Sequence, residues 1–485
     1  MERSEAPGRE TLAGTVRLFA AEALIFPTGV VTAAFLTRWL GTEGFGEFSL
    51  AALVVGWLQW GVVSLLSRST ILTIRHTEAW KPLATRILRI HLIAGLASAA
   101  LLLAAAPLVA RALSLPSLTF YLRLFALDIP LFVYAHAHRN IATGRGDFAR
   151  RAKAVAARWT TRMALIVLLV GLGWSIAGAI LGSIGASLVE LIVARRYDRA
   201  PLFSRSVAST RPFLAAATPL FLSAVALRFI HDADLFALKA LGATTAEAGV
   251  YAAARNLALA MTVFSAAFTP LILSTLVRLV REGAVDHARD MARDAIRLVL
   301  LLTPFAALVA GAAEGIARLV FGEPFAPAGP ILSRLVFSGL ALTVVAVGSA
   351  VLIAGGRLRD TAWIPVALLP LVAAGHLWAI PRFGPLGAAW VTTGAMGLAA
   401  TATLAAVARM WGIAPPLGSA LRVVAVSLAA AAATRAWPAS GGELIVRLAL
   451  FAAGVPLLLL ALGEFSRREL DAAWRALPGR RRTGG

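Results

Sequence analysis

Runs of about 20 apolar residues, the length that crosses a hydrocarbon core about 30 Å thick as a helix, recur from one end of this chain to the other. Fourteen can be marked, beginning with 12–38 and 46–66, passing through 155–174 and 176–195, where only Trp174 and Ser175 intervene, and ending with 418–436 and 444–463. A water-soluble fold has no use for so much apolar surface. Hydrophobic residues are 59% of the 485 and charged ones only 15%, against about 25% in a soluble domain. The expectation is an all-α, polytopic membrane protein of about fourteen transmembrane helices. The polar opening MERSEAPGRE precedes an apolar run too long for a cleaved signal peptide, so the first helix is expected to remain.

Formal net charge is +21, with 46 Lys and Arg against 25 Asp and Glu. In a soluble chain that excess would raise nucleic acid as a partner. Here it sorts by loop. Arg68 to Arg89, Arg139 to Arg158, Arg195 to Arg211, Arg278 to Arg293, Arg357 with Arg359, and Arg467 to Arg482 fall on one side, while the opposite loops carry about one cation each, such as Arg38, Arg111 and Arg382. The positive-inside rule then places both termini in the cytoplasm and accounts for the charge without nucleic acid. The chain has no cysteine, which removes disulfides, thiolate metal sites and cysteine nucleophiles.

Landmarks recur roughly 200 residues apart. Leu40-Gly41 followed by Gly46-Glu47-Phe48 is echoed by Leu241-Gly242 followed by Gly249-Val250-Tyr251. Ile141 to Arg145 is echoed by Ile353 to Arg357, and the turn before Gly178-Ala179 by that before Gly387-Ala388. A duplicated set of six spans, with both copies entering the membrane from the same side, follows from that order.

Four stretches carry a resemblance: LTRWLGTEGFGEFSLA at 36–51, DADLFALKALGATTAEAGVYAAARNLA at 232–258, FGEPFAPAGPILSRL at 321–335 and IPRFGPLGAAWVT at 380–392. Together they resemble the polysaccharide-biosynthesis flippases of the multidrug, oligosaccharidyl-lipid and polysaccharide exporter superfamily. The resemblance implies two pseudo-symmetric six-helix lobes, 1–200 and 201–412, around a V-shaped cavity, then two extra helices at 413–464 and a basic cytoplasmic tail at 465–485. It implies a multi-pass protein of the bacterial cytoplasmic (inner) membrane whose partners are a lipid-linked oligosaccharide, membrane lipid and other polysaccharide-assembly membrane proteins. Most glycines, and Pro219, Pro270 and Pro304, read as packing, turn or kink positions, with hinging at the prolines as a further use.

Charges inside spans are the most informative positions, since one at the bilayer centre costs about 2.5–3.5 kcal/mol on insertion scales and so faces protein or water. Arg228 and Arg255, helped by Arg17 and Arg123, are the candidates for lining the cleft and pairing with a diphosphate, because guanidinium offers planar paired donors and stays charged. Arg228 and Asp232, four residues apart on one helical face, could instead neutralise each other. Asp128, Glu22 and Asp232 are candidates for coupling to a proton or sodium ion, or for serving as counter-ions. Arg162, Glu190 and Arg334 are shallow enough to snorkel and are left out. His231 and His376 could titrate near neutrality or be structural.

The function expected is translocation of a polyprenyl-diphosphate-linked oligosaccharide by alternating access. A cation-coupled drug or metabolite antiporter of the same superfamily is the alternative, and would favour an acidic, aromatic cavity. A membrane polysaccharide polymerase or ligase is the third reading, and the short outer loops count against it. The sequence has no phosphate-cradling loop with its lysine, no HExxH and no GxSxG, so no cofactor, metal or catalytic residue is expected.

Overall fold

The computed structural model describes residues 20–75, 80–197, 218–413 and 417–465, and every regular element among them is helical. Nine segments of these residues are long and apolar enough to cross a membrane. Three of them run for 50 residues or more, about 75 Å as a straight helix and over twice the hydrocarbon thickness. Each therefore has to turn, and each does so at glycine. The first break is at Gly41 (φ +68°), inside α1 (Ile25–Arg75). The second is at Gly173 (φ +90°) and Ser175 (φ +47°), between α5 (Phe148–Leu169) and α6 (Ser175–Tyr197), where the fifth and sixth spans were expected to part. A third, at Gly384 (φ +54°), lies inside α14 (Leu358–Trp411). An L-residue with a Cβ resists these dihedrals, which is why each hinge has a glycine, Ser175 at the second being the one side-chain-bearing residue among them. The arms then pack closely enough that a Cβ on Gly182 would lie 2.8 Å from the backbone nitrogen of Ile166.

The first bundle is completed by α2 (Trp80–Ala112), α3 (Leu118–Ala126) and α4 (Asp128–Gly144). The second begins with α7 (Thr218–Ala240) and α8 (Thr245–Ala258), the latter started by a capping box between Thr244 and Glu247. It continues through α9 (Thr262–Arg281), α10 (Val285–Leu300), α11 (Thr303–Gly311), α12 (Ala313–Phe321) and α13 (Ala328–Ala354) to α14. The boundary expected at residue 200 lies outside the described residues, as does the tail beyond 465. The prolines behave differently from one another. Pro304 sits in the first turn of α11, where its missing N–H costs nothing, and Pro219 opens α7. Pro270 stays inside α9, while the break between α8 and α9 is a 3₁₀ turn at Leu259–Met261.

Gly41, Gly173, Gly242 and Gly384 turn the chain at one end of the molecule, here the glycine end. Arg75, Arg145, Arg150, Arg195, Arg281 and Arg357 gather at the other, the basic end. The two bundles are joined at the glycine end. There α1 packs on α7, α8 and α12, and Phe45, Phe48, Leu235, Tyr251, Phe321 and Phe325 belong to one continuous apolar core. Arg38 donates to the Leu319 carbonyl at 2.8 Å, and the Phe45 and Phe325 rings meet edge to face at 6.0 Å. The closest approach is made by Gly46 and Gly249. A Cβ on Gly46 would collide with the Thr245 carbonyl oxygen, and one on Gly249 with the Thr42 carbonyl oxygen. Gly46 and Gly249 are the positions matched by the repeat expected from the sequence, and they lie against each other.

The last two helices, α15 (Leu417–Ala436) and α16 (Gly441–Ala461), pack on α11, and α16 also reaches α12. Beyond α16, Glu464 is buried and accepts from Arg297 Nε at 2.9 Å, from Arg422 at 3.3 Å and from Ser419. That contact ties the final hairpin to α10 at the basic end.

Candidate functional site

A cavity of about 250 Å³ lies between the bundles. One wall is α1, with Thr32, Phe45, Phe48 and Ser49, and the other is α7 and α8, with Leu235, Ala252 and Asn256. Glycine and alanine on the facing helices bring the backbones near one another and leave the space unfilled. Among the described residues two cations reach it, Arg162 from the first bundle and Arg255 from the second, and none of those lining it is a carboxylate.

The second-bundle cation is held by a cluster assembled on α7 and α8. Arg255 is ion-paired to Asp232 and lies 3.8 Å from Asp234. Asp232 is ion-paired to Arg228 as well, so one carboxylate carries two guanidinium groups. Asp234 is fully buried, and its Oδ2 accepts from the Tyr251 hydroxyl at 2.6 Å and from Thr392 at 3.3 Å, while its Oδ1 accepts from the Leu235 amide at 2.7 Å. A space of about 10 Å³, enough for one water, borders His231, Asp234, Arg255, Ser338 and Thr392. Two cations and two anions make this cluster balanced. Arg162 differs: it donates to Ser183 at 3.3 Å, and among the described residues it has no carboxylate within ion-pair distance.

The expected site residues divide accordingly. Arg255 lines the cavity. Arg228 stands beside it through Asp232, with its guanidinium 5.7 Å from the Trp60 ring of the other bundle. The i, i+4 pairing weighed from sequence for Arg228 and Asp232 is made, and Arg255 joins it. Arg123 is exposed on α3 and does not line the cavity, and Arg17 lies outside the described residues. Glu22 pairs with Arg151 at 2.9 Å. Asp128 is buried and accepts from Gln59 Nε2 at 2.8 Å, with no cation at ion-pair distance among the described residues. His376 is buried and His231 lies 3.6 Å from Asp232.

Two residues set aside as shallow are enclosed by other helices. Arg162 is in the cavity wall, and Glu190 has no exposed surface, bridging Arg139 at 2.9 Å and Arg158 at 3.1 Å. Depth along a span does not tell which way a side chain turns, and α5 and α6, packed along their length, turn both inward. The i, i+4 spacing of Arg158 and Arg162 was the signal that could have found them. Asp234 was also missed. It stands two residues beyond Asp232, and its partner Tyr251 is one helical turn before Arg255.

Nine helical segments among the described residues are long and apolar enough to cross a membrane, so the protein is a multi-pass membrane protein, and its fold is shared with solved structures of a lipid flippase and of MATE transporters. Residues 35–330 match the model of the polysaccharide biosynthesis protein family, and the chain belongs to that family. No curated protein matches it in sequence. Among solved structures it is similar to the lipid II flippase MurJ in an inward closed conformation, with TM-score 0.73 and 12% identity over 95% of this chain and all of that one. It is also similar to a mutant of the Vibrio cholerae MATE transporter VcmN, with TM-score 0.60 and 17% identity over 87% of this chain and 99% of that one. A third is a MOP-superfamily transporter from Pyrococcus furiosus described by the reverse polarity of its binding pocket, with TM-score 0.60 and 14% identity over 86% of this chain and 96% of that one.

Proposed function

We propose that the protein is a transporter that moves a polyprenyl-diphosphate-linked oligosaccharide across the bacterial cytoplasmic membrane by alternating access of its two bundles. The observation that carries this reading is the interlobe cavity reached by a guanidinium from each bundle, Arg162 and Arg255, with no acid among the described residues that line it. A diphosphate entering a low-dielectric space loses its hydration, and paired N–H donors replace it. Arg162 supplies a guanidinium with no carboxylate at ion-pair distance among the described residues. Arg255, with Arg228 behind it, is presented on Asp232, which holds both guanidinium groups until an external anion competes for them. The cavity is slightly smaller than the range of about 300–1,000 Å³ usual for ligand pockets, so the bundles separate at the basic end to admit the saccharide while the lipid tail stays in the bilayer. The basic end faces the cytoplasm in this reading.

Among the carboxylates proposed for ion coupling, Glu22 and Asp232 each have a cationic partner and Asp128 has a neutral amide. Asp128 is therefore the group we assign to the coupling proton. A cation antiporter of the same superfamily is the second reading, and the absence of acid among the described lining residues argues against it.

The test is transport of a fluorescent polyprenyl-diphosphate sugar into proteoliposomes, alongside surface polysaccharide in a dependent strain, for Arg162→Ala and Arg255→Ala at equal membrane levels. Loss of both activities is expected. Undiminished transport in both variants, or transport of an organic cation in place of the lipid, overturns the reading.

A further inference from the structure

A second basic site lies at the basic end of the first bundle, apart from the interlobe cavity. The end of α4, the loop that follows it, the start of α5 and the end of α6 enclose a recess of about 20 Å³. Four guanidinium groups line it, Arg139, Arg145, Arg150 and Arg151, with Asp147 the only acid among the described residues.

Arginines kept only for topology are solvated independently of one another. These are held in place. Arg151 donates to Thr143 and to Glu22, both at 2.9 Å, and Arg150 pairs with Asp147 at 3.0 Å and stacks 5.7 Å from the Tyr197 ring. Arg145 lies 4.1 Å from the Trp80 ring, and Lys153 Nζ is 5.5 Å from the ring of Tyr197. A ring face orients a cation without neutralising it. Buried Glu190 serves Arg139 but is shared with Arg158, so among the described residues the cations of this group outnumber its carboxylates.

We propose that this recess binds the phosphate group of an anionic ligand, taken from a membrane phospholipid headgroup or from free phosphate. The size of the recess admits one or two oxygen atoms, about one water's worth, and leaves the rest of the ligand outside. Trp80 and Tyr197 flank it as interfacial aromatics do, at the level where phospholipid phosphates lie. A tetrahedral phosphate there meets guanidinium donors from Arg145, Arg150 and Arg151 at once, the arrangement by which basic pockets between helices hold lipid headgroups.

Native mass spectrometry of the purified, delipidated protein titrated with phosphatidylglycerol, phosphatidylcholine or inorganic phosphate tests this. Preferential retention of phosphatidylglycerol is expected, weakened about fivefold for each guanidinium removed in Arg145→Gln and Arg150→Gln, both exposed positions that leave the fold intact. Asp147→Asn strengthens retention. Arg281→Gln, an exposed arginine elsewhere at the same end, leaves it unchanged. Saturable binding of inorganic phosphate that those same two variants abolish, with no lipid preference, assigns the recess to the free anion. Equal retention of both lipids without phosphate binding, or equal weakening by Arg281→Gln, overturns the proposal.

Discussion

Gly46 and Gly249 lie backbone against backbone across the two bundles, and a Cβ on Gly46 would sit only 2.9 Å from the amide nitrogen of Gly249. The contact is reciprocal, since each glycine also faces a carbonyl oxygen one turn before the other, Thr245 for Gly46 and Thr42 for Gly249. It closes the glycine end. Alanine at Gly249 meets backbone, which cannot swing aside, and overpacking of that kind costs about 1–3 kcal/mol, enough to shift a closed-to-open ratio by about tenfold. Because the chain has no cysteine, Ser49→Cys in the cavity wall is a unique label. Its reaction with a membrane-impermeant maleimide applied from the glycine end is expected to rise about tenfold in Gly249→Ala.

Asp232 holds Arg228 and Arg255 together. Arg255→Lys keeps the charge but offers a compact ammonium where a planar fork serves a carboxylate and a phosphate at once. Near-normal thermal stability with most of the transport lost is expected, as measured by melting in detergent and by proteoliposome uptake. Arg228→Ala has the smaller effect, because its side chain is 36% exposed against 14% for Arg255.

Glu190 is the buried anion shared by Arg139 and Arg158. Glu190→Ala leaves two buried guanidinium groups without it and is expected to destabilise the first bundle by about 3–5 kcal/mol. Thermal unfolding reads this directly, and substrate does not rescue it, since none of the three residues lines the interlobe cavity.

Burial of the Glu464 carboxyl works against its ionisation, but hydrogen bonds from Ser419, Arg297 and Arg422 outweigh burial and hold its pKa below the ordinary 4.5. A carboxyl depressed on folding contributes its stability fully above the ordinary value and loses it as pH falls through the folded value. Docking of α15 and α16 is therefore expected to be insensitive to pH near 7 and to loosen only in acid below about 4.5. Limited proteolysis between α14 and α15 across that range checks it, and Glu464→Gln removes the pH dependence.

Asp128 accepts a hydrogen bond from Gln59 and has no ion-pair partner among the described residues. Asp128→Asn is expected to abolish stimulation of uptake by an imposed proton gradient while counterflow exchange of substrate persists. Sodium-driven uptake in the unaltered protein overturns the assignment to a proton.

Much of the fold was legible because a bilayer leaves few options. Apolar runs of spanning length had to be helices, and glycines at the places where long runs had to reverse, Gly41, Gly173 and Gly384, mark the turns. The likeness of the stretches around Gly46 and Gly249 was visible in the sequence. That the two echoes touch was not, since self-similarity says nothing about which faces meet. Of the candidate site, Arg255 was found by its place within a span, but Arg162 was missed, because distance from a span's end does not tell which way a side chain turns.

By itself the order of residues determined that this chain is a helical membrane protein, where its helices reverse and which few charges enter the apolar runs, because those follow from the cost of exposing backbone and charge to hydrocarbon. Tertiary structure alone decided which of those charges neutralise one another and which face open space. Asp232 is bound by two arginines and Arg162 by no acid among the described residues, through packing between helices far apart in sequence.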